Sequence, residues 1–160
     1  MNPTLNKKDF EDLTTNLKDL AYGYLEKYNP SKQQLKVFLL KKYLTKIKGT
    51  QSKKEVSEII DIILLNLEEN NFINDEAYSD SKARMFLRRG YSLNKINQSL
   101  RNKGIESKFI KKSIDKIKED KIDPDFVSAL KLCKRRRIGA VRPSSNRELF
   151  YKKDMGILAR

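Results

Sequence analysis

Apolar residues recur along this chain at steps of three and four, the period of one face of an α-helix. Leu13, Leu17, Leu20, Ala21, Tyr24, Leu25 and Tyr28 form the first stripe, broken at Asn29-Pro30. Ser31 caps a second helix with Leu35, Phe38, Leu39 and Tyr43, ended by Gly49. Ser52 opens the third and most regular stripe, Val56, Ile59, Ile60, Ile63, Leu64 and Leu67, which stops at Asn70-Asn71. In the centre, Asn74 is an N-cap, and Asp75 and Glu76 occupy the first turn, where acids favour the positive helix end. Arg88, Arg89 and Gly90 close that helix. Ser92 caps the next, with Leu93, Ile96 and Leu100, and Gly104 ends it. Phe109, Ile110, Ser113, Ile114 and Ile117 line a sixth helix. Asp123-Pro124, a capping residue before Pro at N1, starts a seventh with Phe126, Val127, Leu130 and Cys133. The segment KRRRIGAVRPSSNRE reads as a loop from its Gly, Pro and Ser content. A last helix from near Arg147 carries Leu149, Phe150, Met155 and Leu158. No stretch alternates with period two, so the fold class is all-α.

The pattern also repeats. Leu25…Tyr28-Asn29-Pro30-Ser31…Leu35…Leu39…Lys42 parallels Phe86…Arg89-Gly90-Tyr91-Ser92…Ile96…Leu100…Lys103 at an offset of about 61 residues, the mark of a tandem helical array. The predicted organisation is a flexible N-terminus over 1–11, three-helix repeats over 12–72 and 73–121, and an incomplete repeat over 122–160. Units this small bury little alone and lean on their neighbours. An elongated array of helix-turn-helix-like repeats is the expected architecture.

Composition narrows the chemistry. There is no histidine, so the commonest general base and metal ligand is missing and no Ser-His-Asp or Cys-His nucleophile can be assembled. The single cysteine, Cys133, allows no intrachain disulfide and reads as a small buried side chain. Asp75, Glu76 and Asp80 make a poor metal set, because helix N-terminal acids explain the first two. There is no phosphate-binding glycine loop. The expectation is a protein without catalytic residues, metal or cofactor. No apolar run approaches the ~20 residues of a spanning helix, and residues 1–10 lack an apolar signal-peptide core. A cytoplasmic monomer that does not engage a membrane is expected.

The charge points to partners. Lys and Arg number 35 against 21 Asp and Glu, a formal net of +14. Residues 131–160 hold ten basic and two acidic side chains, more than half the excess. Lys134, Arg135, Arg136, Arg137 and Arg142 flank a loop there, more cations than a helix C-terminus uses. Arginine forks bind phosphate or carboxylate bidentately, so this group is the first candidate contact. A second group is Arg84, Arg88, Arg89, Lys95, Arg101 and Lys103, with Arg84 and Arg88 on one helix face. Tyr28, Tyr43, Tyr78 and Phe86 fall on or near apolar stripes and read as core. Tyr91 reads as packing over the corner between two helices, with base stacking the lesser alternative.

The ordered set Asp75, Glu76, Tyr78, then Arg88-Arg89-Gly90-Tyr91-Ser92, then Ile96, Leu100, Lys103, Gly104 and Ile105 resembles the central repeat of the RecX family, bacterial modulators of the RecA recombinase. The resemblance implies an array of three-helix repeats bound in the groove of the RecA–single-stranded DNA filament. It further implies inhibition of ATP hydrolysis, strand exchange and coprotease action, with direct contact to single- or double-stranded DNA as an added option. The family has no defining catalytic residues, so none are carried over. Two other readings stay open. A helix-turn-helix-like DNA binder would read bases through residues 92–103, although no dimerisation zipper is evident. A nuclease would need a carboxylate cluster.

Overall fold

The structure, a computed structural model, describes residues 7–47, 53–119 and 122–159. Among these residues there are eight α-helices and no strand, so the chain is all-α. They are α1 (Lys7–Leu25), α2 (Lys32–Lys42), α3 (Lys53–Glu69), α4 (Asp75–Arg88), α5 (Leu93–Arg101), α6 (Ser107–Lys118), α7 (Pro124–Arg136) and α8 (Arg147–Leu158). A π-helical turn, Tyr43–Ile47, extends α2, and two short 3-10 turns, Gly139–Val141 and Ser144–Asn146, connect α7 to α8. The chain forms two compact units: Met1–Tyr78 with Lys103–Ile105, and Ser79–Asn102 with Glu106–Arg160. The division therefore falls within α4, one turn past the loop at which the repeat pattern changes.

Unit 1 is built on the three N-terminal stripes. Leu13, Leu17 and Ala21 of α1, Leu35 and Leu39 of α2, Tyr43, and Val56, Ile59, Ile60, Ile63, Leu64 and Leu67 of α3 form one buried cluster with Ile73. Each large aliphatic side chain buried this way is worth about 1.5–3 kcal/mol. Polar caps fix the entry to α2. Ser31 Oγ accepts the Gln34 N–H at 3.2 Å while Gln34 Oε1 accepts the Ser31 N–H at 3.1 Å, a reciprocal capping box. The same Ser31 hydroxyl donates to the Lys103 carbonyl at 2.7 Å, which ties residues 103–105 into this unit. Gly104 (φ +75°) passes so close to α2 that a Cβ there would stand 2.3 Å from Gln33 Cβ. Asp75 does more than favour its own helix: its Oδ1 accepts the Lys32 N–H at 2.9 Å, satisfying an orphan donor of α2.

Unit 2 is thinner. Ala83 and Phe86 of α4, Ile96 and Leu100 of α5, Ile110 and Ile117 of α6, and Ile138 after α7 are its buried apolar residues. A polar seam crosses it. Ser113 Oγ donates to Asp80 Oδ1 at 2.6 Å and lies 2.8 Å from Ser79 Oγ, and Lys116 pairs with Asp80. Burial pushes the Asp80 carboxyl up, but the Lys116 ammonium and Ser113 hydroxyl outweigh it and hold the group below the usual carboxylate range.

Several expectations need correction. Residues 7–11, read as part of a flexible N-terminus, are the first turns of α1. Tyr28 leaves its stripe at 58% exposure, because α1 ends at Leu25 and the Tyr28 ring lies tilted against Tyr24 at 4.8 Å. In α7 and α8 the apolar stripes face inward only in part, with Val127, Cys133 and Phe150 half-buried. Phe126, Leu130, Leu149, Met155 and Leu158 are exposed, and the buried positions are Ser128 and Asp154. The expected helix stop at Gly49 and helix start at Ser52, the first six residues, and Arg160 lie outside the described residues.

Candidate functional site

The corner between α4 and α5 is built as its sequence dictates. Asn74 caps α4 through the Ala77 N–H at 2.9 Å, and Gly90 ends it in the left-handed region at φ +78°. A side chain at Gly90 would be strained by that φ, and its Cβ would stand 3.1 Å from the Ser128 carbonyl oxygen. That close approach is the reason α7 turns its smallest residues toward the corner. Ser128 is buried there with its hydroxyl lacking a hydrogen-bond partner. Tyr91 packs over the corner, its ring stacked on Phe86 at 5.1 Å and 7°, with the Lys95 ammonium 5.0 Å above it. The tyrosine is thereby held as a wall, with a cation over its face.

Asp123 and Asp125 organise the start of α7. Asp123 Oδ1 accepts the Asp125 N–H at 2.9 Å, and Asp125 Oδ1 accepts the Leu93 N–H at 2.6 Å, so one acid caps α7 and the next caps α5. At the other end, Lys134, Arg135 and Arg136 occupy the last turn, where cations favour the negative helix end. Arg137 follows in the left-handed conformation (φ 51°, ψ 50°) usually given to glycine.

The connection after α7 is clamped. Asp154, 4% exposed, receives Arg142 Nε at 3.0 Å and Nη2 at 2.7 Å, together with the Gly139 N–H at 2.9 Å. The guanidinium and then the backbone N–H hold the Asp154 carboxyl below the usual carboxylate range. Arg142 also lies 4.4 Å from the Phe150 ring centre, and Arg147 donates to the Arg142 and Ala140 carbonyls at 3.0 Å each. Arg142 therefore acts as a structural clamp, its guanidinium engaged by Asp154. Nothing local in the sequence signals this, because Asp154 follows Lys152-Lys153 and resembles an ordinary surface acid.

Between the corner, α7 and the last turn of α8 lies a cleft of about 810 Å³. Its lining is mixed: Phe126, Ala129, Leu132, Ile157 and Leu158 are apolar, and Arg89, Lys95, Arg135 and Arg136 are basic. The two cation groups found in the sequence thus meet here in part. Arg89 contributes from the corner, and its carbonyl accepts Arg135 Nη1 at 2.8 Å. Arg84, Arg88, Arg101, Lys134 and Arg137 are exposed but do not line the cleft. Lys103 belongs to unit 1. None of Arg88, Arg89, Arg101, Lys134, Arg136 and Arg137 has an ion-pair partner among the described residues. Among those residues no cluster of three metal-ligating side chains occurs, and no helix is long and apolar enough to cross a membrane.

No family model matches the chain. The regulatory protein RecX of Myxococcus xanthus is 30% identical over 148 residues, covering 91% of this chain and 78% of that protein. A crystal structure of regulatory protein RecX superposes with a TM-score of 0.63 at 21% identity, over 98% of this chain and 74% of the other. That likeness establishes the fold.

Proposed function

Since this chain belongs to the RecX family, we propose that it regulates a RecA recombinase, binding as a cytoplasmic monomer in the groove of the RecA–single-stranded DNA filament. It would suppress ATP hydrolysis, strand exchange and coprotease action there. The observation that carries this reading is the charge of unit 2, with 22 basic and 9 acidic side chains and exposed arginines on the α4–α5 corner and the end of α7. Such a surface suits a partner that presents phosphates and carboxylates together, as a nucleoprotein filament does. A DNA reader working through α5 is disfavoured locally, because Asp125 sits on the first turn of that helix where a phosphate would have to come.

RecA-catalysed ATP hydrolysis on single-stranded DNA, measured while this chain is titrated in below one copy per RecA, tests the proposal. A substoichiometric fall in rate is expected. The quadruple change of Lys134, Arg135, Arg136 and Arg137 to Gln should weaken filament binding and flatten its salt dependence, by up to about one unit of log–log slope for each phosphate no longer neutralised. An unaltered ATPase rate with tight binding to naked DNA sinks the proposal.

A further inference from the structure

We propose that the cleft in unit 2 is a docking site for a polypeptide segment with an apolar anchor followed by carboxylates. The inference rests on the reading that this unit meets a protein partner, and it names the chemistry of the contact. The volume, about 810 Å³, lies in the range of specific binding pockets. The apolar part of the lining is what separates a polypeptide from a bare nucleic-acid strand. Phe126 is 59% exposed and Leu158 37%, beside half-buried Leu132 and Ile157. α8 prolongs the apolar strip, because Tyr151, Met155 and Leu158 fall at i, i+4 and i+7 on one face with 63%, 49% and 37% exposure. Bases of a strand can stack on Phe126 and Tyr151, but they leave the aliphatic Leu132, Met155, Ile157 and Leu158 unmatched, whereas Leu or Phe side chains of a peptide cover them.

The cleft is also polar along its length. Asp123 and Asp125 stand at the start of α7, while Arg135 and Arg136 stand at its end, about 16 Å away at the helical rise. The acids are engaged in backbone caps, Asp123 on the Asp125 N–H and Asp125 on the Leu93 N–H. Phosphates along the whole cleft would meet repulsion at that end. A segment whose carboxylates lie only at one end meets Arg136, Arg89 and the free donors of Arg135, with its neutral or cationic end toward Asp125. Charge complementarity therefore fixes the direction of the bound segment as well as its class.

The probe is a fluorescein-labelled twelve-residue peptide with one Lys at its start, Leu and Phe in its middle and three Glu at its end. Controls carry Ser for the apolar residues or Lys for the three Glu, and a labelled twelve-nucleotide oligo-dT is measured alongside. Anisotropy is read with the full chain and with F126S and R136E, both at exposed positions, after circular dichroism confirms folding. We expect the anchored acidic peptide to bind, both controls and both variants to lose at least tenfold in affinity, and oligo-dT binding to be unmoved by F126S. Equal binding of the Ser control reduces the cleft to a charge patch and overturns the proposal. An equal loss of oligo-dT binding in F126S overturns it in favour of a nucleic-acid site. Wild-type chain that inhibits RecA ATPase yet ignores the peptide overturns the cleft assignment and leaves the regulation standing. Peptide binding with no effect on RecA does the reverse.

Discussion

The two units solve the same problem with different materials. Among the described residues, fifteen buried apolar side chains lie in unit 1 and seven in unit 2. Unit 2 instead buries Ser79, Ser113, Ser128 and Asp154, while unit 1 buries only Ser31 and Asp75 among its polar residues. Charge divides the same way: unit 1 holds 13 basic and 12 acidic side chains, unit 2 holds 22 and 9. An apolar core is stabilised wherever water is excluded, so unit 1 needs no particular surface. Unit 2 is ordered largely through directed contacts, namely caps, the Ser–Asp–Lys seam and the Arg142–Asp154 clamp, and its surface stays free to be basic and partly apolar. The scaffold and the proposed contact face of this protein thus fall in different stretches of chain, and substitutions should separate them.

The largest separation is expected from unit 1. Leu64 is fully buried at the centre of α3, and Leu64→Ala removes its transfer energy and leaves a cavity, a loss of about 2–5 kcal/mol. Urea unfolding followed by hydrogen exchange, read separately on peptides of each unit, should show the loss throughout unit 1. An equal loss in unit 2 would mean that the units unfold as one body, and the comparison would have to be withdrawn.

What the sequence reveals follows the same line. Caps are local, so Ser31, Asn74, Ser92 and Asp123 can be read directly, and each makes its predicted bond. The stripes of α3 can be read because unit 1 sorts residues by polarity alone. The inward face of α7 cannot. The Gly90 corner comes so close that a small residue is needed there, and Ser128 is selected by size while periodicity selects Phe126 and Leu130. Asp154 escapes for a related reason: a buried carboxylate is identified by its partner, and Arg142 looks in sequence like one more free cation. The cleft, assembled from residues 89 to 159, has no signature in any one segment.

Extremes of pH should sharpen the contrast by a smaller amount. In unit 2 the Asp80 carboxyl is held below its ordinary value, so its contribution is complete above about pH 4, the unfolded value, and is lost as pH falls through the lower folded one. In unit 1 burial, then the Asp75 carboxylate and Tyr24, push the Tyr78 phenol up, against the opposing hydrogen bond it donates to Gln34 at 2.9 Å. Its contribution is complete below about pH 10 and is lost as pH rises through the higher folded value. Acid should therefore loosen unit 2 first and alkali unit 1 first, with Asp80→Asn flattening the acid limb and Tyr78→Phe the alkaline one. Identical exchange profiles for both units at pH 3 would remove the seam from the explanation.

The smallest expected effect bears most directly on why unit 2 is built as it is. Arg137 holds the left-handed position that ends α7, where a side chain costs roughly 1 kcal/mol relative to glycine. Arg137→Gly should therefore stabilise unit 2 by about 0.5–1 kcal/mol in urea melts, while removing an exposed cation from the proposed contact face. A stability gain accompanied by weaker binding to RecA filaments would show that the strain is tolerated for the sake of the guanidinium, a trade between stability and contact. A gain with unchanged binding would strike Arg137 from the contact set and leave the end of α7 to Lys134, Arg135 and Arg136. No gain would mean that the aliphatic stem of Arg137 packs well enough to offset its backbone, and the apparent strain would lose its functional reading.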